Sequence, residues 1–309
     1  MDGAMSDVMT THTYRTVDVS VDGGDLRVGV WDPEGAHVAD VLLIHGVTAS
    51  HLAWPFVVDR LPGVRAVAPD LRGRGRSNEI AGPAGLRAHA DDLAATLDTL
   101  GIEQTVVVGH SMGAFVALVF AHRYPHRVSR LLLIDGGLPL DAPAGLDADE
   151  LVAAILGPTA ARLSMRFGSV EDYHTFWRQH PGFVDGWSPE LEDYIAYDLV
   201  PAEPGTFRPA TSYATTVDDT VDMNTGTALV DALAALTHPT RLITVPRGLQ
   251  NEPPGLYSPE HLARMLPATP GVNHERWSSH NHYTVVMTAA GAEDIAPVIL
   301  EEISCAAAS

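Results

Sequence analysis

The sequence predicts an α/β fold, built from a doubly wound, mostly parallel sheet with an inserted helical lid. Short continuous apolar runs alternate with helical patterns in the first part of the chain, and such runs favour strands that are covered on both faces. This alternation stops near Leu138 and resumes near His238. We therefore expect two core segments, at 1–137 and 239–309, on either side of a lid at 138–238.

The chain opens on a short tail and a predicted hairpin. Apolar and polar residues alternate over 17–21 and over 26–30, with an Asp-Gly-Gly turn between them, which is typical of two paired strands. Residues 1–13 are expected to form a loose tail. Because residues 1–7 contain neither a basic residue nor an apolar core, we expect no signal peptide.

Continuous apolar runs predict the central strands of the sheet. These runs lie at 41–44, 64–68, 106–108 and 131–134. A helix is predicted from Leu86 to Leu100, because apolar residues recur on one face and Gly101 follows as a C-cap. After the lid, strands are predicted at 241–245 and 272–277, and a closing helix near 293–303.

The predicted lid differs in composition from the core. It contains no clean strand pattern, and its helix-compatible pieces are 147–156, 170–179 and 189–197. It holds ten of the twenty aromatic residues, and sixteen carboxylates against four arginines. We expect its aromatic side chains to line the substrate pocket, with Phe176, Trp177 and Trp187 as the candidates. The excess of carboxylates predicts that anionic substrates are handled poorly relative to neutral ones.

The composition excludes several classes of function. The chain contains no lysine, which excludes Schiff-base chemistry, a pyridoxal-phosphate lysine and a P-loop lysine. The formal net charge of −20 argues against nucleic acid or an anionic membrane as a partner. Cys305 is the only cysteine, so an internal disulfide or a cysteine-based metal site is impossible. Because no run approaches the length of a membrane span, we expect a cytoplasmic protein. We also expect no metal and no other cofactor.

The most informative motif is Gly-x-Ser-x-Gly at 109–113. It follows a β-branched apolar run and precedes a helix-like stretch at 115–121, the context that a nucleophile elbow requires. A serine in so tight a turn needs small neighbours, which Gly109 and Gly113 provide. The turn also lies at a helix N-terminus, where free N–H groups favour negative charge. Ser111 is therefore the candidate nucleophile.

An acyl-transfer serine also needs N–H donors for the oxyanion that forms during the reaction. His45-Gly46-Val47 ends an apolar strand, at the position from which one such N–H group comes in this architecture. We expect the N–H groups of Val47 and Met112 to hold the oxyanion, with His45 and Gly46 next to the substrate.

The candidate base is His282. The residues after it lead into the closing helix, whose start is expected to hold the base of such a site. His280 is the alternative. The two histidines could also chelate a metal as His-x-His, but no third cluster of ligands accompanies them in the sequence.

Together these motifs resemble the α/β-hydrolase family. The matching pieces are His45-Gly46, the turn at 69–77, the elbow at 109–113 and Asn281-His282-Tyr283-Thr284. The turn resembles a loop that is structural rather than catalytic in this family. The resemblance covers most of the chain outside the lid, and it implies the α/β-hydrolase fold and a triad of nucleophile, acid and histidine.

The chain departs from the family at the usual position of the triad acid. Most members carry the acid after the seventh strand, where this chain has Asn251, and an amide cannot stabilise an imidazolium. A subset, including some haloalkane dehalogenases and a fungal-lactone hydrolase, carries it at the end of the sixth strand, twenty-four residues after the nucleophile. That position is Asp135 here (111 + 24 = 135). Asp135 is therefore the predicted acid, Glu252 is the alternative, and a site without a proper acid is the third possibility.

The identity of the nucleophile narrows the predicted chemistry. Dehalogenases and epoxide hydrolases that resemble this pattern use aspartate where Ser111 stands, so a serine points to acyl transfer. We predict a serine carboxylester hydrolase, either an esterase or a lactonase, acting on a small to medium neutral apolar ester or lactone. The alternatives are carbon–carbon hydrolysis, lyase or cofactor-free dioxygenase chemistry on the same fold, and a ligand-binding receptor with low turnover.

Overall fold

The computed structural model describes residues 12–143, 145–184 and 186–308. Residues 1–11 lie outside the described residues. They include most of the predicted loose tail and residues 1–7, on which the expectation of no signal peptide was based. Residues 12 and 13, which were predicted to belong to the tail, are instead the start of the first strand. It begins there because it pairs antiparallel with the next strand along its whole length, from His12 opposite Pro33 to Val21 opposite Gly24.

The central element is an eight-stranded sheet. In chain order, the strands of the structure are β1 (His12–Val21), β2 (Gly24–Pro33), β3 (Ala39–Ile44), β4 (Val64–Pro69), β5 (Thr105–His110), β6 (Val128–Ile134), β7 (Leu199–Pro201), β8 (Phe207–Pro209), β9 (Thr240–Thr244) and β10 (Val272–Arg276). The large sheet has the order β1-β2-β4-β3-β5-β6-β9-β10. The β1–β2 and β2–β4 pairs are antiparallel, and the other pairs are parallel. The predicted mostly parallel α/β sheet is thus confirmed.

Helices cover both faces of this sheet. They are α1 (Pro55–Val58), α2 (Leu86–Thr99), α3 (Met112–Arg123), α4 (Ala148–Leu156), α5 (Pro158–Arg162), α6 (Val170–Arg178), α7 (Pro189–Tyr197), α8 (Tyr213–Thr225), α9 (Ala228–Ala234), α10 (Pro259–Met265), α11 (Thr284–Met287) and α12 (Ala289–Ala307). Alternate strand residues face opposite sides. Leu42 and Val107 pack with α2, α3 and α9, whereas Leu43 and Val108 pack with α1, α11 and α12.

The closing helix α12 begins earlier than predicted. Thr288 caps its N-terminus, because its hydroxyl accepts a hydrogen bond of 3.1 Å from the Gly291 N–H. Among the described residues, no helix is both long and apolar enough to cross a membrane.

The region between β6 and β9 is mainly helical, and α4, α6 and α7 match the three predicted helical pieces. The expectation that it contains no strand was wrong, because β7 and β8 form a small antiparallel sheet. Each of these strands has only three residues and ends in proline, so neither is long enough to show a periodic pattern. At the end of the region, α9 packs on the core helix α3.

Candidate active site

Ser111 occupies a sharp turn between β5 and α3. Its backbone has φ 54° and ψ −125°, in the left-handed half of conformational space that non-glycine residues rarely adopt. A Cβ atom on Gly109 would lie 2.3 Å from the Gly113 carbonyl oxygen, and one on Gly113 would lie 2.1 Å from the Ile44 carbonyl oxygen. Both glycines are therefore required for the close approach of β5, α3 and β3 around the serine.

Asp135 lies at the end of the neighbouring strand β6 and is fully buried. Its φ of 45° is also left-handed, and its N–H donates to the Ile243 carbonyl at 2.7 Å. The Ser111 N–H donates to the Ile134 carbonyl at 2.9 Å, which links the elbow to the residue before Asp135. Gly136 completes this junction, because a Cβ atom there would lie 2.2 Å from the Ser111 carbonyl oxygen. The Ser111 and Asp135 turns thus pack directly against each other.

His282 lies in the loop between β10 and α11, and its side chain is 3 % exposed. Its Nδ1 is 2.6 Å from Asp135 Oδ2, while Asp135 Oδ1 accepts the Val245 N–H at 3.3 Å. An ionised carboxylate accepts the Nδ1–H of a neutral imidazole, which leaves Nε2 with a lone pair. This arrangement suits a histidine that takes a proton at Nε2.

The backbone of His282 is held on two sides. Its N–H donates to the Arg247 carbonyl at 2.9 Å, and its carbonyl accepts a hydrogen bond from His110 Nε2 at 2.7 Å. Burial and the neighbouring His282 lower the pKa of His110 well below its ordinary value, so His110 stays neutral and donates through Nε2. Sequence reasoning did not find His110, whose only local signal is its position before Ser111.

The alternative acids contact other groups. Asn251 Oδ1 accepts a hydrogen bond from Asn281 Nδ2 at 3.2 Å, and Asn281 Oδ1 accepts from the N–H groups of Tyr283 and Thr284 at 2.9 Å each. The Glu252 carboxylate accepts the Gln250 N–H at 2.7 Å within its own turn. The residue at the usual acid position therefore supports the loop that carries His282 through a pair of amides rather than through a carboxylate. We call this loop, residues 277–283, the histidine loop.

The alternative base, His280, faces another part of the fold. Its Nε2 lies 2.6 Å from Asp294 Oδ2 on α12, and its backbone φ is 72°. Within the described ranges, no group of three or more histidine, cysteine or acidic side chains is arranged to hold a metal ion.

The loop after β3 reaches Ser111 through Gly46. A Cβ atom on Gly46 would lie 3.1 Å from Ser111 Cβ and 3.4 Å from its Oγ, so the glycine leaves room beside the nucleophile. His45 is fully buried, donates from Nδ1 to the Gly46 carbonyl at 2.7 Å and accepts the Leu71 N–H at Nε2 at 3.0 Å. Burial lowers the pKa of His45 to about 4. His45 is therefore a neutral side chain that supports the loop.

Arg74 joins the two residues whose N–H groups were predicted to hold the oxyanion. Its Nε donates to the Val47 carbonyl at 2.8 Å, and its Nη2 lies 3.8 Å from Met112 Sδ. On its other side, Nη1 lies 2.5 Å from Asp219 Oδ2 on α8, and both side chains are fully buried. Although burial raises the pKa of Asp219, the charges of His89 and Arg74 outweigh that effect and hold it at about 2. From the sequence, Arg74 was assigned only to the turn at 69–77, and its contact with Val47 was not predicted.

Two of the three predicted pocket aromatics pack on other aromatic residues of the region between β6 and β9. Trp177 is buried and packs on Tyr173 and Phe183, and Phe176 packs on Phe167 and Tyr173. Trp187 donates from Nε1 to Glu192 and lines a cavity of about 610 Å³ beside His280 and Asn281. Phe176 and Trp177 thus pack among the inserted helices, and Trp187 lies behind the histidine loop.

Comparison with known sequences supports the assignment of the fold. Residues 41–162 match the sequence model of the alpha/beta hydrolase fold family. The lipase LipV of Mycobacterium tuberculosis is 39% identical over 154 residues, which are 48% of this chain and 57% of LipV. A 2-hydroxy-6-oxononadienedioate/2-hydroxy-6-oxononatrienedioate hydrolase of Burkholderia vietnamiensis is 39% identical over 132 residues, 40% of this chain and 45% of that enzyme. The chain thus spans about half the length of these curated relatives.

Solved structures match over most of the chain. E-2-(acetamidomethylene)succinate hydrolase superposes with a TM-score of 0.75 at 20% identity, covering 94% of this chain and all of that one. N-acyl homoserine lactonase AidH superposes with a TM-score of 0.67 at 16% identity, covering 94% of this chain and 98% of the lactonase. At such identities the match concerns the fold alone. The chain thus has the α/β-hydrolase fold, and its residues 41–162 match the sequence model of that family.

Proposed function

We propose that this α/β hydrolase is a serine carboxylester hydrolase, an esterase or lactonase that acts through an acyl-enzyme on a small to medium ester or lactone. The observation that supports this most directly is the buried 2.6 Å contact between His282 Nδ1 and Asp135 Oδ2 beside the elbow of Ser111. A serine, a histidine and a buried carboxylate from three separate loops are the parts of an acyl-transfer triad.

In this proposal the triad works in two half-reactions. His282 Nε2 takes the Ser111 hydroxyl proton while Oγ attacks the acyl carbon, and the proton then passes to the leaving alkoxide. Asp135 fixes the tautomer of His282 and stabilises its charged form. A water molecule, activated by the same histidine, then releases the acid and regenerates the serine.

The oxyanion is assigned to two backbone N–H groups. Met112 is the first residue of α3, so its N–H has no acceptor one helical turn earlier and lies at the positive end of the helix dipole. Val47 follows Gly46, whose position beside Ser111 brings this loop next to the nucleophile. Two such donors in a buried site stabilise developing negative charge strongly.

The names of the relatives favour ester hydrolysis and suggest one alternative reaction. The names lipase and lactonase among them agree with cleavage of a carboxylic ester. The similarity to a 2-hydroxy-6-oxononadienedioate hydrolase makes carbon–carbon bond hydrolysis the second candidate.

A fluorophosphonate probe tests the proposal. It should add a single label to the wild-type chain, and Ser111→Ala should abolish labelling and lower turnover by on the order of 10⁴ or more. The exposed Ser164 provides the control, since Ser164→Ala should label and react as the parent does. A screen of short-chain esters, lactones and acyl thioesters should show a burst followed by steady turnover. Labelling without steady turnover of any substrate would instead indicate a receptor.

A further inference from the structure

A group of buried polar side chains lies among the inserted helices, away from Ser111. We call it the donor cluster, and it consists of Thr159, Arg162, Tyr173 and Trp177. All four are buried, with Tyr173 at 0% exposure and Arg162 at 1%. Two polar atoms of the cluster, Arg162 Nε and Nη2, have no hydrogen-bond partner among the described residues. The Thr159 hydroxyl lies beside that of Tyr283, and Trp177 Nε1 lies beside the Tyr173 hydroxyl. Each of these atoms can donate a hydrogen bond.

The guanidinium of Arg162 is held from one side only. Its Nη1 donates to Asp198 Oδ2 at 2.5 Å and to the Tyr173 hydroxyl, and its Cζ lies 5.0 Å from the centre of the Trp177 ring. Burial by itself lowers the pKa of Arg162, but Tyr173 and Asp198 outweigh it, so the side chain stays charged. The opposite edge, Nε and Nη2, is the planar fork that binds both oxygens of a carboxylate.

An unpaired fork at this depth needs a physical reason. A buried N–H group without an acceptor loses its hydrogen bond to water and gains nothing in exchange, and this loss is larger for a charged group. Asp198 does not fill this edge: its Oδ2 accepts from Arg162 Nη1 and from the Tyr173 hydroxyl, and among the described residues no hydrogen bond reaches Arg162 Nε or Nη2. The cluster therefore offers a preformed set of donors that an anionic oxygen pair would satisfy.

Ring contacts join the donor cluster to the histidine loop. The Trp177 ring lies 5.1 Å from the His180 ring, which meets the Tyr283 ring edge-on at 5.5 Å. Tyr283 follows His282 in the chain, and their rings are 5.6 Å apart. On its other side, the Tyr283 hydroxyl lies beside that of Thr159. The donor cluster and the loop that carries His282 are thus joined by a continuous row of packed aromatic rings.

We propose that the Arg162 Nε–Nη2 edge binds a carboxylate at the end of the substrate remote from the scissile ester. The preferred substrate is then an ester of a dicarboxylic acid that keeps one free carboxylate. This inference rests on the proposed esterase function. The expectation of a neutral substrate came from the charge of the inserted region, which acts at long range and is screened by salt, whereas a buried fork acts on contact.

Two matched esters test the substrate class. Monomethyl adipate and methyl hexanoate share their acyl chain length and leaving group and differ in the terminal carboxylate. The wild-type enzyme should prefer the anionic ester in kcat/KM by about tenfold or more, as a charged hydrogen-bonded pair allows. Arg162→Met/Asp198→Asn removes both buried charges together, and Arg162→Lys keeps the charge without the fork. Both variants should lose most of this preference.

The control is Arg166→Met, because Arg166 is exposed and forms its ion pair with the exposed Glu203. It should keep the wild-type preference. A wild-type enzyme that prefers methyl hexanoate would overturn the proposal. So would Arg162 variants in which both esters slow equally, since that result indicates a purely structural arginine.

Binding separates this inference from the proposed reaction. Monomethyl adipate should bind to Ser111→Ala in a calorimetric titration, and the added Arg162→Lys change should weaken that binding by about tenfold. If no ester is hydrolysed but this Arg162-dependent binding is present, the esterase proposal fails and the carboxylate site stands. Equal binding to both proteins would refute the site, whatever the activity.

Discussion

Replacing Asp135 by asparagine tests the proposed triad most directly. The change keeps the shape of a fully buried side chain and removes its charge. The Oδ1 atom can still accept the Val245 N–H, but the new amide N–H₂ faces His282 Nδ1, where Oδ2 now lies at 2.6 Å. An amide donor there forces the proton of the imidazole to Nε2, so His282 can no longer accept the serine proton.

The expected fall in kcat follows from this change of tautomer. Losing both the correct tautomer and the stabilisation of the imidazolium lowers kcat by roughly 10³–10⁴, which corresponds to a barrier increase of about 4–5 kcal/mol. KM should change much less, because Asp135 makes no contact with substrate in the proposed mechanism. Steady-state kinetics on the best ester, together with a urea unfolding curve to show that the variant is folded, measure both quantities.

Two control variants address the usual acid position. Asn251→Ala and Glu252→Gln should stay within about tenfold of the parent, a barrier change of about 1.4 kcal/mol or less, because these side chains bond to Asn281 and Gln250 instead of His282. An active Asp135→Asn enzyme together with an inactive Glu252→Gln enzyme would refute the assignment. Asp135 would then be a structural residue at the end of β6.

Three further predictions concern other parts of the site. Arg74→Lys keeps the charge opposite Asp219 but loses the fork that reaches the Val47 carbonyl, so kcat and the affinity for a boronic acid inhibitor should both fall roughly tenfold with little change in KM. Because the folded chain holds the pKa of His45 at about 4, against 6.5 ordinarily, the unfolded chain binds the extra proton between these values. Stability should be full above pH 6.5 and fall by roughly 3 kcal/mol as the pH drops to 4, and urea unfolding of the parent and of His45→Gln should show a smaller fall in the variant. At low ionic strength the net charge of −20 should make a coenzyme A ester, a bulky polyanion, a poorer substrate than its methyl ester, and faster turnover of the coenzyme A ester would contradict this.

Local sequence patterns were enough to propose a nucleophile and a base. The elbow needs a strand, two glycines and a helix within a few residues, and all of these are visible around Ser111. The interpretation of His282 used its position before the last helices. Asp135 was found only through the spacing in a resembling family, since an aspartate after an apolar strand has no distinctive local pattern.

The contacts of Arg74 and Arg162 could not be predicted in this way. Arg74 contacts Val47 and Asp219, which are far from it in sequence, and Arg162 pairs with Asp198, which lies 36 residues later, after α6 and α7. Composition also indicated that the inserted region is rich in aromatic residues without indicating which way they face. Such residues pack equally well on one another or around a ligand, so only the three-dimensional arrangement distinguishes the two.

In the proposed triad the acid follows β6, whereas the usual position of the acid, Asn251 in this chain, follows β9. This difference has a mechanical consequence. Ser111 and Asp135 end adjacent parallel strands, and the 2.9 Å bond from the Ser111 N–H to the Ile134 carbonyl joins their turns. The close packing of Gly136 on Ser111 also resists their separation. The proposed nucleophile and the proposed acid therefore lie in directly packed turns, both before the helical region between β6 and β9. His282 alone comes from the segment after it, so any shift between the two segments changes the position of the base while the other two groups keep their spacing.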